Sequence, residues 1–345
     1  MSAQEYDYTS LQKTVEELLP EVGRSSVEKL ITQLASGEFG SFREWISELG
    51  NWLLGSVTVP AEHGIRMLFL VLFSALFSNL SRAFQKNGAS QMGFLCVYLL
   101  MALHAASGFF LCLETVRTGV ERICSLTSVL LPTYCLSIAF VTGSLTAAGY
   151  YQGTAFLITL LQYVTAVVLL PLSQSYLLLS FASCMQREPV FEKLLHLILS
   201  VFSWIKKTLT GIVIAFGSVQ GIVCPAIDRV KKNAVMKTAS AIPGVGDLVD
   251  GAWETVMGAG VVLKNSIGMA GVILLLLVCA LPLCNLGIYY LFYRLIGAVT
   301  EPITQNSTEV FLMHAGNAQK LLLDTLMTSM FLFLILLVIM TRISV

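Results

Sequence analysis

Charged residues are scarce in this sequence. They make up 12% of the chain, where soluble globular domains have roughly 25%. Hydrophobic residues reach 56% and the mean hydropathy is +0.78. Residues 1–64 hold ten acids and four bases, and this acidic balance argues against nucleic-acid binding. The composition excludes an ordinary soluble domain and indicates a protein built to lie in the lipid bilayer.

Motifs for catalysis and for cofactor binding are also missing. The sequence contains no HExxH, no GxSxG, no pair of intramembrane aspartates and no glycine-rich phosphate loop. Eight cysteines lie in or beside apolar runs without a CxxC spacing, which is typical of cysteines that act as small hydrophobic residues. We therefore predict a protein that is not an enzyme and binds no metal or cofactor.

The acidic head, residues 1–64, is predicted to be helical. Capping-box patterns begin at Thr9, Ser25 and Ser41, and each would supply hydrogen-bond partners for the first amides of a helix. They predict three short amphipathic helices, at about 10–19, 26–36 and 42–55. The first ten residues are polar and acidic, unlike a secretory signal.

Residues 65–345 are predicted to form a polytopic membrane domain, because several apolar runs approach the 20 residues that cross a bilayer. The predicted spans are 65–84, 92–113, 126–141, 209–223, 265–293 and 321–343. Residues 155–185 carry no charge but are interrupted near Pro171, so they form either one kinked helix or two short ones, and we favour the pair. The uncharged segment GSLTAAGYYQGT before them is interpreted as a re-entrant or buried connection. The expected fold is all-α, with about six to eight transmembrane or re-entrant helices and a short helical head.

Two further segments, about 186–207 and 226–262, are predicted to be amphipathic helices at the membrane interface. The second contains a turn at Pro243, Gly244 and Gly246, since glycine accepts backbone angles that suit a turn. From Val245 to Met257 the apolar residues follow helical spacing.

The turn residues Pro243, Gly244 and Gly246 are candidates for a site of assembly or transport, and so are four residues at and just beyond the end of this segment. Gly260, Lys264 and Gly268 are four residues apart and share one helical face, with Asn265 beside the lysine. The small glycines would let a neighbouring helix or a substrate reach the ammonium group. The favoured alternative is that Lys264 extends from a helix end towards the headgroups.

His104 and Asp324 are the other candidates, because both are ionisable and lie within predicted spans. His104 is the more deeply placed. The expected partners of Asp324 are Lys264 and His104.

The stretch from Ala241 to Pro302 resembles the stage III sporulation protein AE family of endospore-forming bacteria. The likeness rests on AIPGVG, the amphipathic helix, LKNSIGMAGVILLLLVCALP, a tyrosine-rich span end and AVTEPI. The order of spans agrees from about Ile65 to the C-terminus. Members of the family commonly begin with a signal peptide, so either the start of this chain is lost or this branch inserts without one.

The resemblance implies a multipass protein of the mother-cell membrane that surrounds the forespore. With other stage III sporulation membrane proteins and a forespore partner, it would form a channel or secretion-like complex required for forespore development. The alternative is a permease for a small solute, because the family is distantly similar to autoinducer-export-like permeases.

Overall fold

A computed structural model describes residues 57–83, 88–141, 143–185, 191–239, 246–304 and 306–341. These residues are helical apart from short turns, and none of them lies in a strand. The helices are α1 Thr58–Ala83, α2 Gly88–Val141, α3 Ser144–Val164, α4 Leu170–Met185, α5 Glu192–Ala239, α6 Gly246–Thr300 and α7 Asn306–Thr341. A π-helical turn, Thr165–Leu169, joins α3 to α4.

Six helical stretches are long and apolar enough to cross a bilayer. They are Thr58–Phe77, Leu95–Ala139, Ser144–Cys184, Glu192–Gln220, Ile267–Thr300 and Ser307–Ile339. The prediction of an all-α polytopic membrane protein with six to eight such helices is confirmed. The three helices predicted in residues 10–55 lie outside the described residues.

The core is organised around three long helices, α2, α6 and α7. A Cβ atom added to Gly119 of α2 would lie 3.1 Å from Leu326 of α7 and 3.9 Å from Pro282 of α6. One added to Gly271 of α6 would lie 3.1 Å from Leu130 of α2 and would also contact α7. Residue numbers therefore rise along α2 as they fall along α6, so these two helices are antiparallel. Glycine at both positions brings the helices close together.

Two apolar clusters result from this packing. The larger one includes Phe109, Leu275 and Phe333, all fully buried. The smaller one fills the space between α1, the start of α2, the end of α6 and the start of α7, and includes Met67 and Phe311. Together they place α1 beside one end of the α2, α6 and α7 core.

Two boundaries differ from the prediction. Residues 92–113 and 126–141 were predicted as separate spans, but α2 is one helix of 54 residues. Its polar middle is helical as well, and the hydroxyls of Thr115 and Thr118 donate to carbonyls one turn earlier in the same helix. Likewise α5 is one helix from Glu192 to Ala239. The amphipathic segment from Glu192 onward therefore continues directly into the span predicted at 209–223, and the helix runs on through Pro225.

The preference for two short helices in residues 155–185 was wrong. The chain is helical without interruption from Ser144 to Met185, and GSLTAAGYYQGT forms the start of this helix rather than a connection. The N–H of Leu170 donates to the carbonyl of Thr165, five residues earlier, which widens the turn just before Pro171. A widened turn accommodates the proline ring, which would otherwise clash with the carbonyl four residues back.

Candidate functional site

An ion pair joins α5 to α7 inside the bundle. Lys206 Nζ lies 2.9 Å from Asp324 Oδ2, and their side chains are 22% and 31% exposed. The ammonium also lies 5.2 Å from the centre of the Phe202 ring, a distance suited to a cation–π contact. The two residues lie 118 positions apart in the sequence, and their opposite charges neutralise each other between α5 and α7.

A histidine pair holds the start of α1 against α2 and α6. His104 Nε2 donates to the carbonyl of His63 at 3.1 Å, and the two rings stack with their centres 3.9 Å apart. His63 Nε2 also lies 3.2 Å from the hydroxyl of Tyr293 on α6. Gly108 makes the stack fit, because an added Cβ would lie 2.5 Å from the His63 ring.

A second hydrogen-bonded cluster joins α4 to α7. Asn317 Nδ2 donates to the hydroxyl oxygen of Tyr176 at 3.4 Å. The same hydroxyl lies 3.0 Å from His314 Nδ1, so it is hydrogen-bonded to two side chains of α7. The ring of Tyr176 is itself buried.

These two clusters lie at about the same height in the bundle. Gly316 of α7 sits against Tyr293 of α6, with an added Cβ only 3.4 Å from the tyrosine Cβ, and Asn317 follows it. We call the set of His63, His104, Tyr293, Tyr176, His314 and Asn317 the polar layer. It crosses the bundle through α1, α2, α6, α7 and α4. Interhelical hydrogen bonds of this kind fix helices relative to one another, each contributing about 0.6 kcal/mol on average in membrane proteins.

Two of the candidates from the sequence take part in these contacts, but not with the partners expected. His104 belongs to the polar layer. Asp324 pairs with Lys206, so the expectation that it would pair with Lys264 or His104 was wrong. The physical reason is that α5 packs along α7, as Gly217 of α5 against Ile339 of α7 also shows, and this packing places Lys206 beside Asp324.

The candidates around Lys264 are only partly described. Gly260 and Lys264 lie within helix α6, which begins at Gly246, while Pro243 and Gly244 lie outside the described residues. Gly268 is buried and Asn265 is exposed. The predicted role of this helical face therefore stays a prediction.

Sequence reasoning missed His63, Lys206, Tyr176, His314 and Asn317. Each is a single polar residue in an apolar or amphipathic segment, and its partner lies 41 to 230 residues away. Such pairs leave no spacing pattern along the chain. The one available signal was that His63, Lys206 and His314 are ionisable residues near or within apolar helices.

Among the described residues there is no group of three or more histidine, cysteine, aspartate and glutamate side chains arranged to hold a metal ion. The arrangement found in the bundle is instead one of hydrogen bonds and an ion pair between helices.

Comparison with known proteins matches residues 25–344 to the family model for stage III sporulation protein AE. The chain belongs to the stage III sporulation protein AE family. It is 24% identical over 287 residues to stage III sporulation protein AE of Bacillus subtilis (strain 168), covering 83% of this chain and 71% of that protein. No solved structure matches the chain. Membership of the family and the six apolar helices give a multipass membrane protein with a role in sporulation.

Proposed function

We propose that this protein is a membrane subunit of a channel or secretion-like complex between the mother cell and the forespore. It lies in the mother-cell membrane that surrounds the forespore and is required for forespore development. The observation that carries the proposal is the extent of the family match, which covers residues 25–344 and thus the entire polytopic domain rather than one embedded segment.

The contacts inside the bundle are consistent with a framework subunit. In the polar layer one cluster of hydrogen bonds joins α1, α2 and α6 and the other joins α4 to α7. The Lys206–Asp324 pair joins α5 to α7. Polar groups that bond across helices hold the bundle in one arrangement. The proposed role needs no catalytic chemistry in this chain.

Co-purification from sporulating cells tests the proposal. The full chain, carrying an affinity tag, is expressed from its own promoter, crosslinked in intact cells and recovered in mild detergent. Other stage III sporulation membrane proteins, together with a forespore partner, are expected to be enriched. The control is the same tagged chain expressed in vegetatively growing cells, where those partners are absent.

Recovery of the chain alone from sporulating cells, at normal abundance and after crosslinking, would contradict the proposal. Purified chain in liposomes provides a second measurement. Solute flux through the chain without partners would replace the framework role with that of a permease.

A further inference from the structure

The outward face of α2 is polar in the middle of an apolar helix. Glu114, Arg117, Glu121, Ser125 and Ser128 are all exposed and follow one another at spacings of three or four residues, which places them on one side of the helix. We call these five residues the polar stripe. At 1.5 Å per residue the stripe is about 21 Å long.

The polar stripe lies within a membrane-type helix rather than in a loop. It falls inside Leu95–Ala139, a helical stretch that is long and apolar enough to cross a bilayer. Within residues 112–135, all of which the structure describes, no large apolar side chain is exposed, whereas Leu111 before them and Leu136 after them are about half exposed. The outward surface of α2 is therefore apolar before and after the stripe and polar within it.

The opposite side of the same turns faces the core. Val116, Val120 and Ile123 are buried, and Gly119 packs against α6 and α7. The exposed face of α1 shows by contrast what a lipid-facing surface looks like in this protein, with Phe69, Phe73 and Leu76 more than half exposed. Charged side chains in membrane helices rarely face lipid and normally meet another protein surface or water. The stripe is therefore expected to meet water or another protein surface rather than lipid tails.

The charges of the stripe indicate what covers it. Arg117 and Glu121 are 62% and 54% exposed and only loosely paired, at 3.6 Å, within their own helix. Along the stripe the charges alternate in sign, Glu114, Arg117 and Glu121, and the exposed Arg122 beside the stripe brings the sum of the four charges to zero. A neutral, alternating surface does not favour a strongly acidic or basic partner. It is self-complementary, because Arg117 of one copy fits between Glu114 and Glu121 of another.

We propose that the polar stripe is a contact between two copies of this chain, with their α2 helices side by side and in parallel. In such a contact each arginine lies one turn from the acids of the other copy, and the serines allow the two helices to approach closely. The contact does not depend on the proposed function.

A charge exchange between copies tests this contact. Two versions of the full chain with different affinity tags are produced in the same membranes, and the fraction of one recovered with the other is measured in mild detergent. Arg117→Glu makes the stripe wholly acidic at its centre, and Glu121→Arg makes it basic. Like charges placed against each other are costly, so each variant is expected to lose self-association by at least about tenfold. The mixture of the two variants is expected to regain most of the wild-type recovery.

The mixed pair also serves as a control for folding, since a misfolded variant would not be rescued by the other. Lys320→Glu is the matched control, because it makes the same change of charge at an exposed position on α7 and is expected to leave self-association unchanged. The proposal is overturned if wild-type copies do not co-purify, if both variants associate as the wild type does, or if the mixture recovers no better than either variant alone.

Discussion

The Lys206–Asp324 ion pair gives a quantitative test of how the bundle is held together. Replacing Asp324 with leucine removes one charge and leaves the Lys206 ammonium in a site that is only 22% exposed. Breaking a fully buried pair costs about 3–5 kcal/mol, whereas a fully exposed pair contributes about 0–1 kcal/mol. Because both side chains are partly exposed, we expect Asp324→Leu to lower the free energy of unfolding by about 2 kcal/mol, between those limits.

A double-mutant cycle separates the pair from its surroundings. The single variants are Asp324→Leu and Lys206→Met, and the third combines both changes. The loss in free energy of unfolding should be smaller for the double variant than the sum of the two single losses, by about 1 kcal/mol or more. The reason is that the double variant has neither charge, so no unpaired charge remains in the bundle. Unfolding of the purified chain by denaturant in lipid–detergent bicelles provides the measurement.

A matched control comes from the pair Glu62 and Arg66, whose side chains are both 70% exposed and 3.3 Å apart. Arg66→Met is expected to change the free energy of unfolding by less than about 0.5 kcal/mol. If Asp324→Leu costs no more than this control, or if the cycle gives no coupling, then the ion pair does not hold α5 to α7 and the reasoning fails.

Two further predictions follow from the packing and from the sequence. Gly153→Ala should destabilise the chain by about 1–3 kcal/mol, because the new Cβ would overlap the amide of Gln220, which donates to the Gly149 carbonyl at 2.9 Å. Gly211→Ala, with nothing within 4 Å of its added Cβ, should be neutral or stabilising in the same unfolding assay, and equal effects at the two sites would contradict the packing argument. Lys264→Ala should leave forespore development normal if the lysine only reaches towards the headgroups, as we favour. Failed development with a normal protein level would instead assign the lysine a direct role, and Lys320→Ala serves as the control.

The sequence allowed the class of fold to be predicted because that depends on local quantities. The length of the apolar runs and the scarcity of charge together require helices in a bilayer. The continuity of the helices was less predictable. The charged segment around Arg117 has the composition of an interface, yet it contains no proline, and it remains part of one continuous helix.

The contacts of the site could not be predicted in the same way. His104 and Asp324 were identified because an ionisable residue in an apolar span needs a partner. Their partners, His63 and Lys206, are fixed only by how α1 and α5 pack. Residue type and hydropathy therefore identify one member of such a pair, but its partner depends on the packing of distant helices and cannot be predicted from them.

The π-helical turn at Thr165–Leu169 holds one residue more than an ordinary α-helical turn. One extra residue in a helical turn changes the direction of every later side chain by about 100° about the helix axis. The orientation of Tyr176 towards His314 therefore depends on the extra residue being taken up in this wide turn. Loss of a single residue there would restore an ordinary α-helix and leave the buried face of α4 towards α7, whereas closing the turn with all its residues present would rotate that face by about 100°.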